Sequence, residues 1–381
     1  MKKNILILGG YGNFGKRICE TLARRADIRL IISGRDINKA EALCERLRAQ
    51  NASAELTALT LDIFSDDFAQ RLIELTPFLV IHTSGPFQGQ DYQVPQACIE
   101  AGAHYIDLAD DRRFVCDIAQ LDAQARAKNL LVVSGASSVP GLSSVVIDKL
   151  APQFSRMDEL DIAIAPGNRA ERGEATVRAI LSYTGHPIKV FEGGEWVEKT
   201  GWMSPRKLDF GKVVGNRWLA NVDVPDLELF PARYPQVKTV NFQAGLELPF
   251  LHWGMVGMAW LAKYKIVRNW APLVKPIVAA SNWFINLGSD VGGMRVKITG
   301  LDNHKKPLEL VWQLTATGGV GPYIPTLSAI ILAEQLLDGR CTQRGAQACL
   351  GLYPLEDFKQ YAQRWGIYYQ LFSHGEEQVI G

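Results

Sequence analysis

Three glycines at a fixed spacing carry the clearest chemistry in the chain. Gly9-Gly10-Tyr11-Gly12-Asn13-Phe14-Gly15 follows the apolar run Ile5 to Leu8 directly, so Gly10, Gly12 and Gly15 fit G-x-G-x-x-G between a strand and a helix. In that setting the first glycine turns the chain, the second lets a diphosphate approach the backbone, and the third lets helix and strand pack closely. The helix amides, with Asn13 and Phe14 at the entry, then meet negative charge. After the second apolar run stands Ser33-Gly34-Arg35-Asp36. Arg35 can fork onto a 2′-phosphate and Ser33 can donate to it, which favours NADP. Asp36, one residue on, would serve as the ribose-binding acid of an NAD site, so NAD stays open. Asp62 lies where an adenine amino group would sit, or else caps a helix starting near Ser65. Thr83-Ser84-Gly85-Pro86-Phe87 ends the fourth run, and it either faces the nicotinamide half or is a structural turn.

Residues for proton transfer are less plain. Tyr105 and Asp107 at the end of the fifth run are candidates for catalysis, and Ser137 and Ser143 beyond the sixth for substrate contact. Asp107 could donate a proton if desolvated, or could hold the adjoining turn. A Tyr-x-x-x-Lys pair occurs only at Tyr234 to Lys238, with Pro235 inside it and far from the glycine turn, so that mechanism is disfavoured. Arg112 and Arg113 read as an acid clamp or as exposed helix residues, and His186 and His252 as isolated histidines. The six cysteines show no C-x-x-C and no histidine at zinc spacing, so no metal is expected.

The elements that must position these groups alternate regularly. Strands are expected at Asn4 to Leu8, Arg29 to Ser33, Leu56 to Leu61, Phe78 to His82, Tyr105 to Leu108 and Leu130 to Ser134, with helices in the gaps, such as Asn13 to Arg25, Asn38 to Ala49 and Tyr92 to Ala101. This is an α/β fold, a Rossmann doubly wound parallel sheet. After Gly135 the alternation gives way to strand-like pieces at Val190 to Thr200, Arg295 to Gly300 and Leu308 to Thr317. The expectation is an inserted α+β domain for substrate or dimerisation over 136–320. Residues 1–135 and 321–381 form the dinucleotide domain, the helices Thr326 to Leu337 and Leu355 to Trp365 packing back on it.

Lys and Arg (41) nearly cancel Asp and Glu (40), so no basic field invites nucleic acid. The start MKKNILILGG has too short an apolar run for a signal peptide, and the scattered cysteines suit a reducing compartment, so a cytoplasmic location is expected. Residues 248–287 are apolar, with Trp253 and Trp260 seven apart on one helical face and Lys263, Lys265 and Arg268 following. Prolines and length argue against a spanning helix. Three readings stay open: a buried or homodimer-forming helix, a lid over an apolar pocket, and a peripheral membrane contact.

The glycine turn, the run Ile81 to Phe87, the stretch Ala97 to Leu108, and the tail Gly321-Pro322-Tyr323 through Gly345 together resemble the saccharopine dehydrogenase-like oxidoreductases. The resemblance covers the first domain and the returning helices, and covers the middle poorly. It implies an NADP-binding domain, a substrate domain inserted between Rossmann segments, and hydride transfer to or from carbon. Saccharopine-forming members carry an acid after Pro-Gly-hydrophobic, where Val139-Pro140-Gly141-Leu142 is followed here by Ser143, so an amino-acid substrate is not carried over. The expected function is an NAD(P)-dependent oxidoreductase acting on a small, apolar or carbonyl, imine or enoyl compound. The alternative is a nucleotide-binding scaffold or membrane-peripheral protein without turnover.

Overall fold

Ile5 to Leu8 are all buried, and a strand with no exposed side chain needs a covering layer on both faces. The computed structural model, which describes residues 2–378, supplies those layers with helices on a seven-stranded parallel sheet. Its elements are β1 (Lys3–Leu8), α1 (Gly15–Leu22), β2 (Ile28–Gly34), α2 (Ile37–Ala49), β3 (Glu55–Thr60), α3 (Phe68–Leu75), β4 (Leu79–His82), α4 (Gln93–Glu100), β5 (His104–Asp107) and β6 (Leu131–Ser134). The strand order is Gly345–Ala348, β6, β5, β4, β1, β2, β3. β1 therefore pairs with both β2 and β4, and the direction of winding reverses there, opening the crevice in which such sheets bind ligands. Gly102, at φ +73, ends α4 in the left-handed conformation that glycine adopts without strain.

The chain divides into two units, Met1–Leu142 with Tyr323–Tyr353, and Ser143–Pro322 with Pro354–Gly381. The helix Ile324–Leu337 returns to the first unit and is buried along most of its length. So does the strand Gly345–Ala348, but the segment from Pro354 on belongs to the second unit, which corrects the expectation that all of 321–381 belongs to the nucleotide domain. The strand Tyr368–Ser373 pairs antiparallel with Pro307–Ala316, and Phe358 of the helix Leu355–Arg364 meets Trp312 edge-on. Backbone hydrogen bonding to an open sheet edge thus decides where the last segment goes, and an amphipathic pattern cannot specify which sheet that will be.

The second unit is a ten-stranded mixed sheet whose long central strands are Phe154–Ala165, Gly292–Asp302 and Pro307–Ala316. The piece expected as one strand over Val190 to Thr200 is a hairpin, Pro187–Glu192 against Glu195–Thr200. Gly193 and Gly194 both take positive φ at its turn, the form that matches strand twist. Pro249–Lys263 is a helix, with Trp253 and Trp260 turned to solvent. That corrects the reading of this helix as buried. Among the described residues no helix is long and apolar enough to cross a membrane.

Candidate functional site

The glycine turn joins β1 to α1 at the reversal point. Gly9 rather than Gly10 takes the left-handed conformation, at φ +74, and its carbonyl accepts from Gly12 N at 2.8 Å. Gly10 is required by packing, because a Cβ there would stand 2.8 Å from Ile32 Cγ2. Gly15 is more tightly held, since its Cβ would meet the Gly9 carbonyl oxygen at 2.3 Å and Gly10 Cα at 2.8 Å. Gly12 differs from both: a Cβ would meet only the Gly9 carbonyl, at 3.0 Å, and would otherwise project into open space. The turn is thus open on the Gly12 side and packed on the Gly10 and Gly15 sides. The first-turn amides at Phe14 and Gly15 lack carbonyl partners of their own helix and favour negative charge there. Asn13 is drawn toward the helix, its side-chain oxygen accepting from Arg17 at 2.5 Å.

At the end of β2 the structure separates the neighbouring candidates. Arg35 is exposed and, among the described residues, makes no ion pair or hydrogen bond. Asp36 is occupied as the N-cap of α2, accepting from the amides of Asn38 and Lys39 at 3.1 and 3.3 Å, with Lys39 Nζ 3.5 Å away. An acid committed to the first turn of α2 is a poor ribose ligand, whereas an unpaired guanidinium suits phosphate. Ser33 corrects its expectation: it is fully buried, and its hydroxyl donates to the Ile7 carbonyl at 3.0 Å, so it holds β2 to β1. Gly34 lies under the ring of Tyr11, which would overlap any Cβ there at 2.4 Å. Tyr11 Oη in turn accepts from Asp36 N at 2.9 Å, fixing the loop that presents Arg35. Sequence reasoning missed Tyr11, although its position between two motif glycines marks it as next to the β2 end. Asp62 closes a local turn, accepting from Phe64 N at 3.1 Å, and the following helix starts later than expected, at Phe68.

The turn after β4 is tied to the glycine loop. Thr83 Oγ1 donates to the Leu8 carbonyl at 2.8 Å, and Gly85-Pro86 is a cis peptide. Gln90 Nε2 donates to the carbonyls of Ser84 and Pro86 at 3.0 and 2.7 Å, so the turn is built as a rigid ledge beside Gly9. Thr83, Ser84, Gly85 and Pro86 are partly exposed. Phe87 is not: it is buried against the rings of His82 and Phe114, which corrects its expected place facing nicotinamide.

Asp107 and Tyr105 share one face of β5 and are both fully buried. Asp107 Oδ1 accepts from Ala109 N at 2.9 Å, Ser134 Oγ at 2.9 Å and Gly135 N at 2.8 Å, a clamp joining the ends of β5 and β6. Tyr105 Oη bonds His82 Nδ1 at 2.9 Å. Burial holds His82 neutral, lowering its pKa to about 3, and lifts the Tyr105 phenol well above its ordinary value. None of the three is presented to a ligand. Ser143 is likewise fully buried, its hydroxyl bonded to Asp226 at 2.5 Å, which corrects its expected contact with substrate. Ser137 is partly exposed, but its carbonyl is taken by Ser328 Oγ at 2.9 Å. Arg112, expected as exposed, is buried, while Arg113 pairs with Asp117 at 3.5 Å.

Burial pushes Asp107 up to about 6, so the folded chain holds this proton more tightly than the unfolded chain does. The stability gained from that proton is fully present below about pH 4 and is lost as pH rises to about 6, by roughly 3 kcal/mol. Asp107→Asn keeps an acceptor for the three donors and carries no charge. It should therefore flatten this step and be at least as stable as the wild type at pH 7, as urea unfolding at pH 4 and pH 7 would measure. Equal destabilisation at both values would show that carboxylate ionisation is not what matters.

Residues 5–133 match the family profile described as the saccharopine dehydrogenase NADP binding domain. Among solved structures, 97% of the chain superposes on 99% of the apo, histidine-tagged saccharopine dehydrogenase (L-Glu forming) from Saccharomyces cerevisiae, with a TM-score of 0.69 and 14% identity. At that identity the likeness is one of fold. An NADPH dependent reductase involved in bacilysin biosynthesis matches at 14% identity over 35% of this chain and 71% of its own, with a TM-score of 0.27. No curated protein matches the sequence.

Proposed function

We propose, for a chain whose residues 5–133 match the saccharopine dehydrogenase NADP binding domain, that it is an NADP-dependent oxidoreductase moving hydride to or from a small carbonyl, imine or enoyl compound. The observation that carries this reading is the pairing of an open cradle at Gly12 with an exposed, unpaired Arg35 at the end of β2. NADP, when bound, supplies the two-electron hydride chemistry, and the protein supplies position and electrostatics. In this proposal Gly10, Gly12, Asn13, Phe14 and Gly15 hold the diphosphate, and Arg35, steadied through Tyr11, holds the 2′-phosphate. Thr83 to Pro86 form the ledge for the nicotinamide end.

One observation favours a second reading, a nucleotide-binding scaffold without turnover. Asp107, Tyr105 and Ser143 are all buried, so no acid or phenol among the expected catalytic groups faces a ligand. The two readings separate in a single assay. NADPH consumption at 340 nm with a panel of carbonyl, imine and enoyl compounds should proceed with at least one class, whereas calorimetric binding of NADPH with no consumption across the panel would establish the scaffold.

A further inference from the structure

We infer that one face of the second unit, formed by the helix Pro249–Lys263 and the segment after it, docks on an anionic lipid bilayer without spanning it. This goes beyond the redox reading and does not depend on it. Of the thirteen large hydrophobic residues exposed among the described residues, eight fall between Phe250 and Leu287. Phe250, Trp253, Trp260 and Tyr264 are 47, 45, 50 and 58% exposed. At 3.6 residues per turn their spacing confines them to a stripe about 80° wide. His252, Ala259 and Ala262 are the buried positions on the other side. The helix is thus anchored by a histidine and two alanines and turns its bulky aromatic residues outward, the reverse of ordinary amphipathic packing. The ring of Phe250 meets Phe284 edge-on at 5.0 Å, and Trp283 and Leu287, close to Phe284 in sequence, are exposed as well. A contiguous aromatic surface of this kind marks an interaction site on a soluble fold.

Charge identifies the occupant. Residues 248–287 contain Lys263, Lys265, Arg268 and Lys275, all exposed, and no Asp or Glu. A twofold dimer through this face would gather two copies of these cations with no acid in the segment to pair them. A bilayer with anionic headgroups offers both halves of the complement: acyl chains for the aromatic stripe and phosphates for the cations at its end. Tryptophan suits that boundary, having an apolar body and a polar N–H. At 15 residues the helix is too short to cross the hydrocarbon core and would lie in the interface plane.

Flotation of the full chain tests this, with vesicles of phosphatidylcholine alone and of phosphatidylcholine with phosphatidylserine at about 2:1. The chain should float with the mixed vesicles and dissociate as salt is raised. Each exposed cation contributes about fivefold to partitioning, so Lys263→Ala with Lys265→Ala should lower it about 25-fold. Trp253→Ser with Trp260→Ser should lower it at least about tenfold at an unchanged Tm. Quenching of wild-type tryptophan emission by brominated lipid reads insertion without any variant. Failure of the wild type to float with either vesicle, or flotation that the tryptophan substitutions leave intact, overturns the proposal. So does a lipid-free dimer in sedimentation equilibrium that those substitutions dissociate, since the face would then belong to a second copy.

Discussion

Replacing Gly12 by alanine should remove nucleotide binding and leave the fold standing, while the same change at Gly15 should break the fold. The two glycines belong to one motif, yet a Cβ would meet different things at each. At Gly15 it would lie 2.3 Å from one backbone oxygen and 2.8 Å from a backbone carbon, and neither can move without opening the β1 to α1 turn. Overpacking against backbone at this site should cost about 3 kcal/mol or more. At Gly12 the Cβ meets a single oxygen at 3.0 Å, and φ there is not in the left-handed region, so alanine asks the Gly9 carbonyl to give by a few tenths of an ångström rather than the turn to open. The methyl group would instead occupy the space over which a diphosphate must approach the amides. The expected result is a loss of about 100-fold in NADPH affinity, near 2.7 kcal/mol, with Tm within a few degrees of the wild type. Calorimetry and thermal unfolding on both variants measure it. Unchanged affinity in Gly12→Ala would remove the cradle from the proposed function.

Arg35→Ala should weaken NADPH binding by about 10- to 100-fold and change NADH binding by less than about twofold, because charge-assisted hydrogen bonds contribute about 1.5–3 kcal/mol and only NADPH carries the 2′-phosphate. Arg35 is exposed, so the difference should shrink as salt is raised and is best measured at low ionic strength. Asp36 supplies the contrast. Its carboxylate caps α2, so Asp36→Ala should lower stability by about 1 kcal/mol without improving discrimination between the two nucleotides. Equal losses for NADPH and NADH in Arg35→Ala would place the phosphate elsewhere.

The glycine spacing, the six alternating strands and the preference for NADP were legible because each depends on residues close in sequence. A turn that needs a bare backbone shows as glycine, and a strand buried on both faces shows as an unbroken apolar run such as Ile5 to Leu8. The seventh strand, Gly345–Ala348, left no such mark. Its sequence, three small residues and Gln347, carries little pattern, and its pairing with β6 is a contact across more than two hundred residues. Side-chain roles were harder to read for the same reason. Ser33, Phe87, Asp107 and Ser143 have types that could serve a ligand, but their partners Ile7, His82, Ser134 and Asp226 come from other elements.

Sequence by itself determined the dinucleotide turn, the class of sheet around it and the aromatic, acid-free character of residues 248–287, because local spacing encodes backbone shape and amphipathic pattern. Only the tertiary structure decided that Arg35 is unpaired while Asp36 is spent on a helix cap, that the last helix and strand join the second unit, and that Trp253 and Trp260 face outward. Exposure and hydrogen-bond partnership are set by whichever distant residues arrive on the other side. A one-dimensional pattern states what a residue can do, and packing selects which of those possibilities it keeps.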